Sequence, residues 1–320
     1  MNKYIGHPAQ ISGVEEVILA KGKGKGMTLL QVRNGLGLEL VLSADRAMDI
    51  ARVTFKGDNI GYFSPCGYVA PGFYYNRGNG FLKYFNAGFI TTCGLTAVGS
   101  PCTDNGEELP LHGTIANAPC ENYSYSETES EIIVKAEVRD AAIFTHQLIL
   151  MREYRISKNE NKLSLCDKIK NIGSAEAPLE VLDHCNIGYP LLSENTVLDI
   201  PSIKTEPRNE HAKSALADCF KMEKPRRGYE EMCYYHTLKN GRVSAYNPDI
   251  NKRVTILFDI RELPYFVEWK MMGEHDYVLG LEPGNCLPDG RNVMREKRLR
   301  VFLKPNEEKI HHIEFNFTEE

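Results

Sequence analysis

Hydrophobic and polar residues alternate with a period of two along much of this chain. From Ile132 to Arg139, Val134, Ala136 and Val138 fall on one side and Lys135, Glu137 and Arg139 on the other, the repeat of a strand with one buried face. A helix would scatter those apolar groups around its axis. The pattern recurs near the C-terminus, where Leu299, Val301 and Leu303 oppose Arg298 and Arg300, and Ile313, Phe315 and Phe317 oppose His312, Glu314 and Asn316. Further strands are predicted from Met27 to Val32, Leu38 to Leu42, Ile143 to Ile156, Leu163 to Ile172, Arg253 to Phe258 and Tyr265 to Met271. Turn signals separate them: Asn34-Gly35, Lys56-Gly57-Asp58, Asn171-Ile172-Gly173, Asn240-Gly241 and Asp289-Gly290. Many short strands divided by turns indicate an all-β antiparallel sandwich or barrel, not alternating βα units. The best helical segment is short, Glu210 to Phe220, and the run Met294 to Arg300 reads as a charged strand edge that discourages further pairing. No linker or internal repeat interrupts the pattern, so residues 1–320 are expected to form a single domain.

With 42% hydrophobic and 25% charged residues, the 320-residue chain has ample material for a core. Its 38 basic and 43 acidic residues are spread along the sequence with no long run of one sign, which argues against nucleic acid as a partner. Lys21-Gly-Lys-Gly-Lys25 lacks the full phosphate-loop pattern and reads as a solvated turn. Nine cysteines without a CxxC pair form neither a disulfide framework nor a zinc ribbon. Reduced thiols, the absence of a signal-like apolar start and the lack of any stretch near about 18 apolar residues suggest a cytoplasmic protein without a membrane span.

The stretch from Gly61 to Gly113 is rich in Gly, Tyr, Phe, Asn and Pro and is expected to form long loops over the sheet. Its run PGFYYNRGNGFLKYFN interleaves aromatic rings with Asn and Arg, which suits either a sugar site or a packed aromatic loop cluster. Three segments carry candidate chemistry. His112 ends this loop region beside Gly113. Asp183, His184 and Asn186 interrupt the apolar strand that starts near Glu180, and burying such groups without a role is costly. Glu282 closes the apolar run Tyr277-Val-Leu-Gly-Leu281 before Pro283-Gly284. Trp269 is either core or a stacking platform, and His311, in phase with Ile313 and Phe315, reads as a hydrogen-bonded core histidine.

Taken in chain order, these segments resemble the aldose 1-epimerase (galactose mutarotase-like) superfamily, and more closely its uncharacterised branch. A loop histidine followed by glycine, a strand-end histidine and a glutamate in an LEP segment correspond here to His112, His184 and Glu282. The segments DRAMDI and FITTCGLTAVG are similar to motifs of that branch, making Asp45, Arg46, Asp49 and Asn86 candidate cleft residues. The first histidine lacks the asparagine-rich approach of the better-known galactose mutarotases. The resemblance implies a β-supersandwich with few short helices that holds a small-molecule sugar and needs no cofactor or metal. Glu282 would act as base, His184 as acid and His112 as electrostatic support, with Arg46, Asn86, Asp183, Asn186 and Trp269 around the substrate. Two other readings stand beside it. A metal-dependent sugar isomerase would use His112, His184 and Glu282 as ligands, although no HxH or HExxH spacing is present, and a noncatalytic carbohydrate-binding protein would need only the aromatic and polar cleft.

Overall fold

The computed structural model describes residues 3–320. The alternating segments form strands: in Glu131–Ala141 and Lys162–Asn171 every second residue is buried. Among the described residues helix is confined to short pieces, including the α-helices Glu210–Ser214 and Arg291–Glu296. The protein is therefore an all-β sandwich, as the alternation requires.

An eight-stranded antiparallel sheet runs in the order Asn122–Glu127, Glu131–Ala141, Gln147–Ser157, Lys162–Asn171, Glu308–Glu319, Lys252–Phe258, Arg242–Asn247 and Val197–Asp199. A second sheet runs Ser202–Pro207, Met232–Leu238, Tyr265–Met272, Tyr277–Gly284, Ala177–Ile187 and Val301–Leu303, with Ile90–Leu95 also paired to Ala177–Ile187. A five-stranded sheet is built from Gly13–Ile18, Thr28–Arg33, Leu38–Ser43, Asp49–Phe55 and Asp58–Asn59. One continuous core joins all three, with Leu40 and Val53 from the five-stranded sheet, Val134 and Phe315 from the eight-stranded one, and Phe266 and Leu279 from the second. Each such fully buried apolar side chain contributes roughly 1.5–3 kcal/mol.

The second sheet is covered on both faces. One face meets the eight-stranded sheet; on the other, Leu182 and Val267 pack with Cys93, Val98, Cys286 and Met294. This explains why Ala177–Ile187 and Tyr277–Gly284 lose the period-two pattern: beyond its first two residues each reads as almost continuously buried.

Three sequence expectations are corrected. Met294 to Arg300 is not a strand edge, because Arg291–Glu296 forms a helical turn that buries Met294 and is held from outside by Asp104, which binds Arg291 Nε at 3.0 Å and Arg295 Nε at 2.6 Å. The strand expected from Ile143 begins only at Gln147, since Ile143 and Phe144 lie fully out in solvent at the hairpin tip. The helix expected from Glu210 to Phe220 breaks after Ser214 into the 3-10 turn Leu216–Asp218. Lys21 to Lys25 does form a turn with its lysines exposed, and the nine cysteines are free thiols. No helix among the described residues is long and apolar enough to cross a membrane.

Candidate functional site

The register between Ala177–Ile187 and Tyr277–Gly284 pairs Cys185 with Leu281 and Asn186 with Gly280, which sets His184 opposite Glu282. Alternation turns Cys185 and Leu281 into the inter-sheet core and aims His184 and Glu282 at the other face. Their side chains meet with Nε2 and Oε1 3.2 Å apart. On the next strand Trp269 pairs with Gly280, and its ring stands edge-on to His184 with centroids 5.2 Å apart.

His112 comes from above. Its backbone takes the left-handed conformation, with φ of 59°, and is fixed by His112 N donating to Gly99 O and His112 O accepting from Gly94 N. Gly113 follows with φ of 71°, so close to the carbonyls of Gly94 and Ala97 that a Cβ would collide with both. This tight crossing brings the His112 ring to 5.7 Å from that of His184. Phe81 packs on His112 and Phe85 on His184, at centroid distances of 5.2 and 5.5 Å.

These groups line a cavity of about 270 Å³ together with Asn79, Arg208 and Glu231. Trp269 Nε1 donates to Glu231 Oε2 at 2.7 Å, and Arg208 Nη2 donates to Ser100 Oγ at 2.7 Å and to Pro288 O at 3.2 Å. A wider and more open groove of about 880 Å³ crosses the outer face of the eight-stranded sheet past Arg155, Arg242 and Phe258. The smaller cavity is the better candidate, because buried acid and base groups converge in it.

Burial dominates the electrostatics. It pushes the Glu282 carboxyl well up, helped by nearby Glu231 and opposed by Arg208. It pulls His184 well down, with His112 adding to the effect, and brings His112 to about 4, with Arg208 a smaller contributor. Burial thus favours the uncharged form of all three groups. At 3.2 Å, His184 Nε2 and Glu282 Oε1 are close enough to exchange a proton.

Of the residues expected from sequence, His112, His184, Glu282 and Trp269 come together at this cavity. The other four do not line it. Asp183 follows the strand alternation to the opposite face, where its Oδ2 lies 3.2 Å from His311 Nε2. Asn186 is buried on the His184 side but uses Nδ2 to bond its neighbour's carbonyl, His184 O, at 2.8 Å. Arg46 is buried beneath the loop region, with Nη1 3.4 Å from Val69 O. Asn86 is buried beside Phe85, its carbonyl accepting from Ser64 N and Gly88 N. The other two motif residues serve the framework: Asp45 Oδ2 accepts from Thr28 N, and Asp49 binds Thr92 and Arg152. Arg208 and Glu231 were not found from sequence. They flank strands in loops, and no local pattern separates them from other surface charges.

This antiparallel sandwich is the galactose mutarotase-like fold. The chain belongs to the DUF4432 family, a domain of unknown function whose model matches residues 24–317. Solved structures share the fold. A Klebsiella pneumoniae protein provisionally designated an aldose 1-epimerase is 26% identical, with a TM-score of 0.90 over 96% of this chain and 83% of that one. A galactose mutarotase-like protein from Clostridium acetobutylicum is 16% identical, with a TM-score of 0.69 over 97% of this chain and all of the other. The galactose 1-epimerase of Lactobacillus acidophilus is 14% identical, with a TM-score of 0.65 over 96% and 99% of the two chains. No curated protein matches in sequence.

Proposed function

We propose that this protein is a sugar mutarotase that interconverts anomers by acid and base ring opening. The observation that carries the reading is the contact of His184 Nε2 with Glu282 Oε1 at 3.2 Å on the floor of the cavity. The hydroxyl oxygen O1 and the ring oxygen O5 of an aldose are bonded to the same carbon, so an acid and a base must stand side by side to serve both. A directly opposed cross-strand pair meets that demand.

A proton passed between the two residues supplies the chemistry. Transfer from Glu282 to His184 leaves a carboxylate beside an imidazolium, at no change in net charge. Burial makes that carboxylate a strong base and that imidazolium a strong acid. Glu282 then takes the O1 proton while His184 protonates O5, the C1–O5 bond breaks, and an open-chain aldehyde forms. Rotation about the C1–C2 bond presents the other face of the carbonyl to O5, and the reverse transfers close the ring. Neutral His112, beside His184, supports charge developing at O5. Trp269 offers an apolar face to the sugar's C–H surface.

The test is an anomer-exchange screen by saturation-transfer NMR across common aldoses, uronates and deoxysugars. Faster exchange of one sugar is expected. Saturable binding without faster exchange for every sugar would instead make the protein a noncatalytic sugar binder.

A further inference from the structure

Behind the cleft, a second group of chemistry-bearing side chains is enclosed between the two large sheets. The register of the eight-stranded sheet sets Arg152, Asp167 and His311 in one row, Arg152 opposite Asp167 and Asp167 opposite His311. Asp183 reaches this row from the other sheet, and Asp49 from the five-stranded one. Arg152 is fully occupied: Nε and Nη2 donate to Asp167 at 2.8 and 2.5 Å, and Nη1 donates to Asp49 at 2.7 Å. Asp49 is completed by Thr92 N and Oγ1 at 2.9 and 2.6 Å.

Asp183 is not completed in this way. It is 0% exposed and neither carboxylate oxygen accepts a hydrogen bond of good geometry among the described residues. His311 Nε2 is also without a hydrogen bond, lying 3.2 Å from Asp183 Oδ2 and 3.6 Å from Asp167 Oδ2. The phenol of Tyr154, 0% exposed and within the electrostatic reach of Asp49, Asp167 and Asp183, has no partner either. Unpaired polar atoms gathered in one buried place are costly.

We propose that Asp167, Asp183 and His311 form a buried site for one divalent transition-metal ion that ties the two sheets together behind the cleft. Two carboxylate oxygens and one imidazole nitrogen are a donor set that Zn²⁺ and Mn²⁺ accept. One oxygen or nitrogen from each of the three residues lies within 4.8 Å of the other two. The 3.2 and 3.6 Å separations bracket the ~3.4 Å edge of a tetrahedron whose metal bonds are ~2.1 Å long. A cavity of about 380 Å³ at the end of the sandwich, between Ile169, Val181 and Pro264, has His311 in its wall and provides an approach. The site is separate from the cleft, since Asp183 and His184 point to opposite faces of one strand, and the proposal does not depend on the mutarotase reading.

The experiment is metal analysis of the untagged protein purified from cells grown with added Zn²⁺ and Mn²⁺. It is followed by refolding in chelator and titration with Co²⁺, read by visible absorption and thermal melting. About one metal ion per chain, cobalt d–d bands and a raised melting temperature are expected. His311→Gln and Asp183→Asn should weaken Co²⁺ binding by roughly 10–100-fold or more, whereas Glu282→Gln and His184→Gln should retain it. Absence of metal from the wild-type protein together with no spectral or melting response to Co²⁺ overturns the site. Metal that stays in both His311→Gln and Asp183→Asn, or is lost with Glu282→Gln, also overturns it. If either core variant fails to fold, the wild-type stoichiometry and cobalt spectrum decide the question.

Discussion

Gly280 gives the Glu282 carboxylate its place. The two residues lie on the same face of one strand, and a Cβ on Gly280 would overlap Glu282 Oε1 while lying 3.1 Å from Trp269 Cβ. The glycine is required here for space, since its backbone is that of an ordinary strand. Gly280→Ala should therefore push the carboxylate away from His184 without disturbing the core on the opposite face. A displacement of about 1 Å at a reacting group can cost about 100-fold. Anomer exchange should fall on that scale in Gly280→Ala, with circular dichroism and melting close to wild type. Wild-type turnover in the variant would remove Glu282 from the proposed chemistry.

Glu282→Gln and His184→Gln should each abolish most turnover while changing sugar affinity modestly. An amide keeps much of the shape and hydrogen bonding of either group but can neither take up nor surrender a proton at neutral pH. Because either change disables the same concerted proton movement, the losses should not add: a double variant should be little slower than either single one. Exchange rates beside calorimetric affinities check this. His112→Asn should be milder, with support of charge lost but proton transfer intact.

The same His112 gives a pH signature in stability. Burial holds its folded value at about 4, against 6.5 for a free imidazole. Between these values the unfolded chain binds the extra proton and the folded one does not, so stability falls as pH drops through this window. A single site shifted by this much contributes up to roughly 3 kcal/mol. His112→Asn, chosen because asparagine tolerates a positive φ, should show a shallower loss of melting temperature from pH 7 to 4.5. The difference between the two proteins separates this histidine, with the part of the His184 shift that it causes, from groups such as His146 and His311, whose neighbouring aspartates push them the other way. Parallel melting curves would contradict the assignment.

Strand positions were legible wherever one face is buried. The predicted limits of Ile132 to Arg139 and Leu163 to Ile172 differ from the observed Glu131–Ala141 and Lys162–Asn171 by only one or two residues. Hydrophobicity misled at Ile143 and Phe144, where apolar residues occupy a hairpin tip, and charge misled at Arg291–Glu296, whose partner Asp104 is 187 residues from Arg291. In the cleft, His184 and Glu282 stood out as polar groups in apolar strands. The contrary fate of Asp183 was implicit in the period of two, since neighbours on a strand face opposite ways. Arg208 and Glu231 were not legible, because their proximity to His184 depends on long-range sheet pairing and loop crossing.

Trp269 is the only tryptophan in the chain, and its position makes it a built-in reporter of the cleft. Its ring lies against His184, and its Nε1 donates to Glu231 on the cavity wall. A sugar stacking on the ring would change its solvation, and contact with the Glu231 carboxylate would alter the indole hydrogen bond. Intrinsic fluorescence should therefore shift saturably with the sugars that undergo exchange and stay flat with those that do not. Trp269→Phe keeps an aromatic face but loses the Nε1 donor, so affinity should fall only a few-fold. Trp269→Ala removes the platform as well, and a stacking loss of about 0.5–1.5 kcal/mol corresponds to roughly 2- to 13-fold weaker binding. Glu231→Gln should preserve stacking while weakening the charged hydrogen bond that orients the indole. If an exchanging sugar leaves the emission unchanged and Trp269→Ala binds it as tightly as wild type, the sugar sits elsewhere, and the open groove beside Arg242 becomes the place to look.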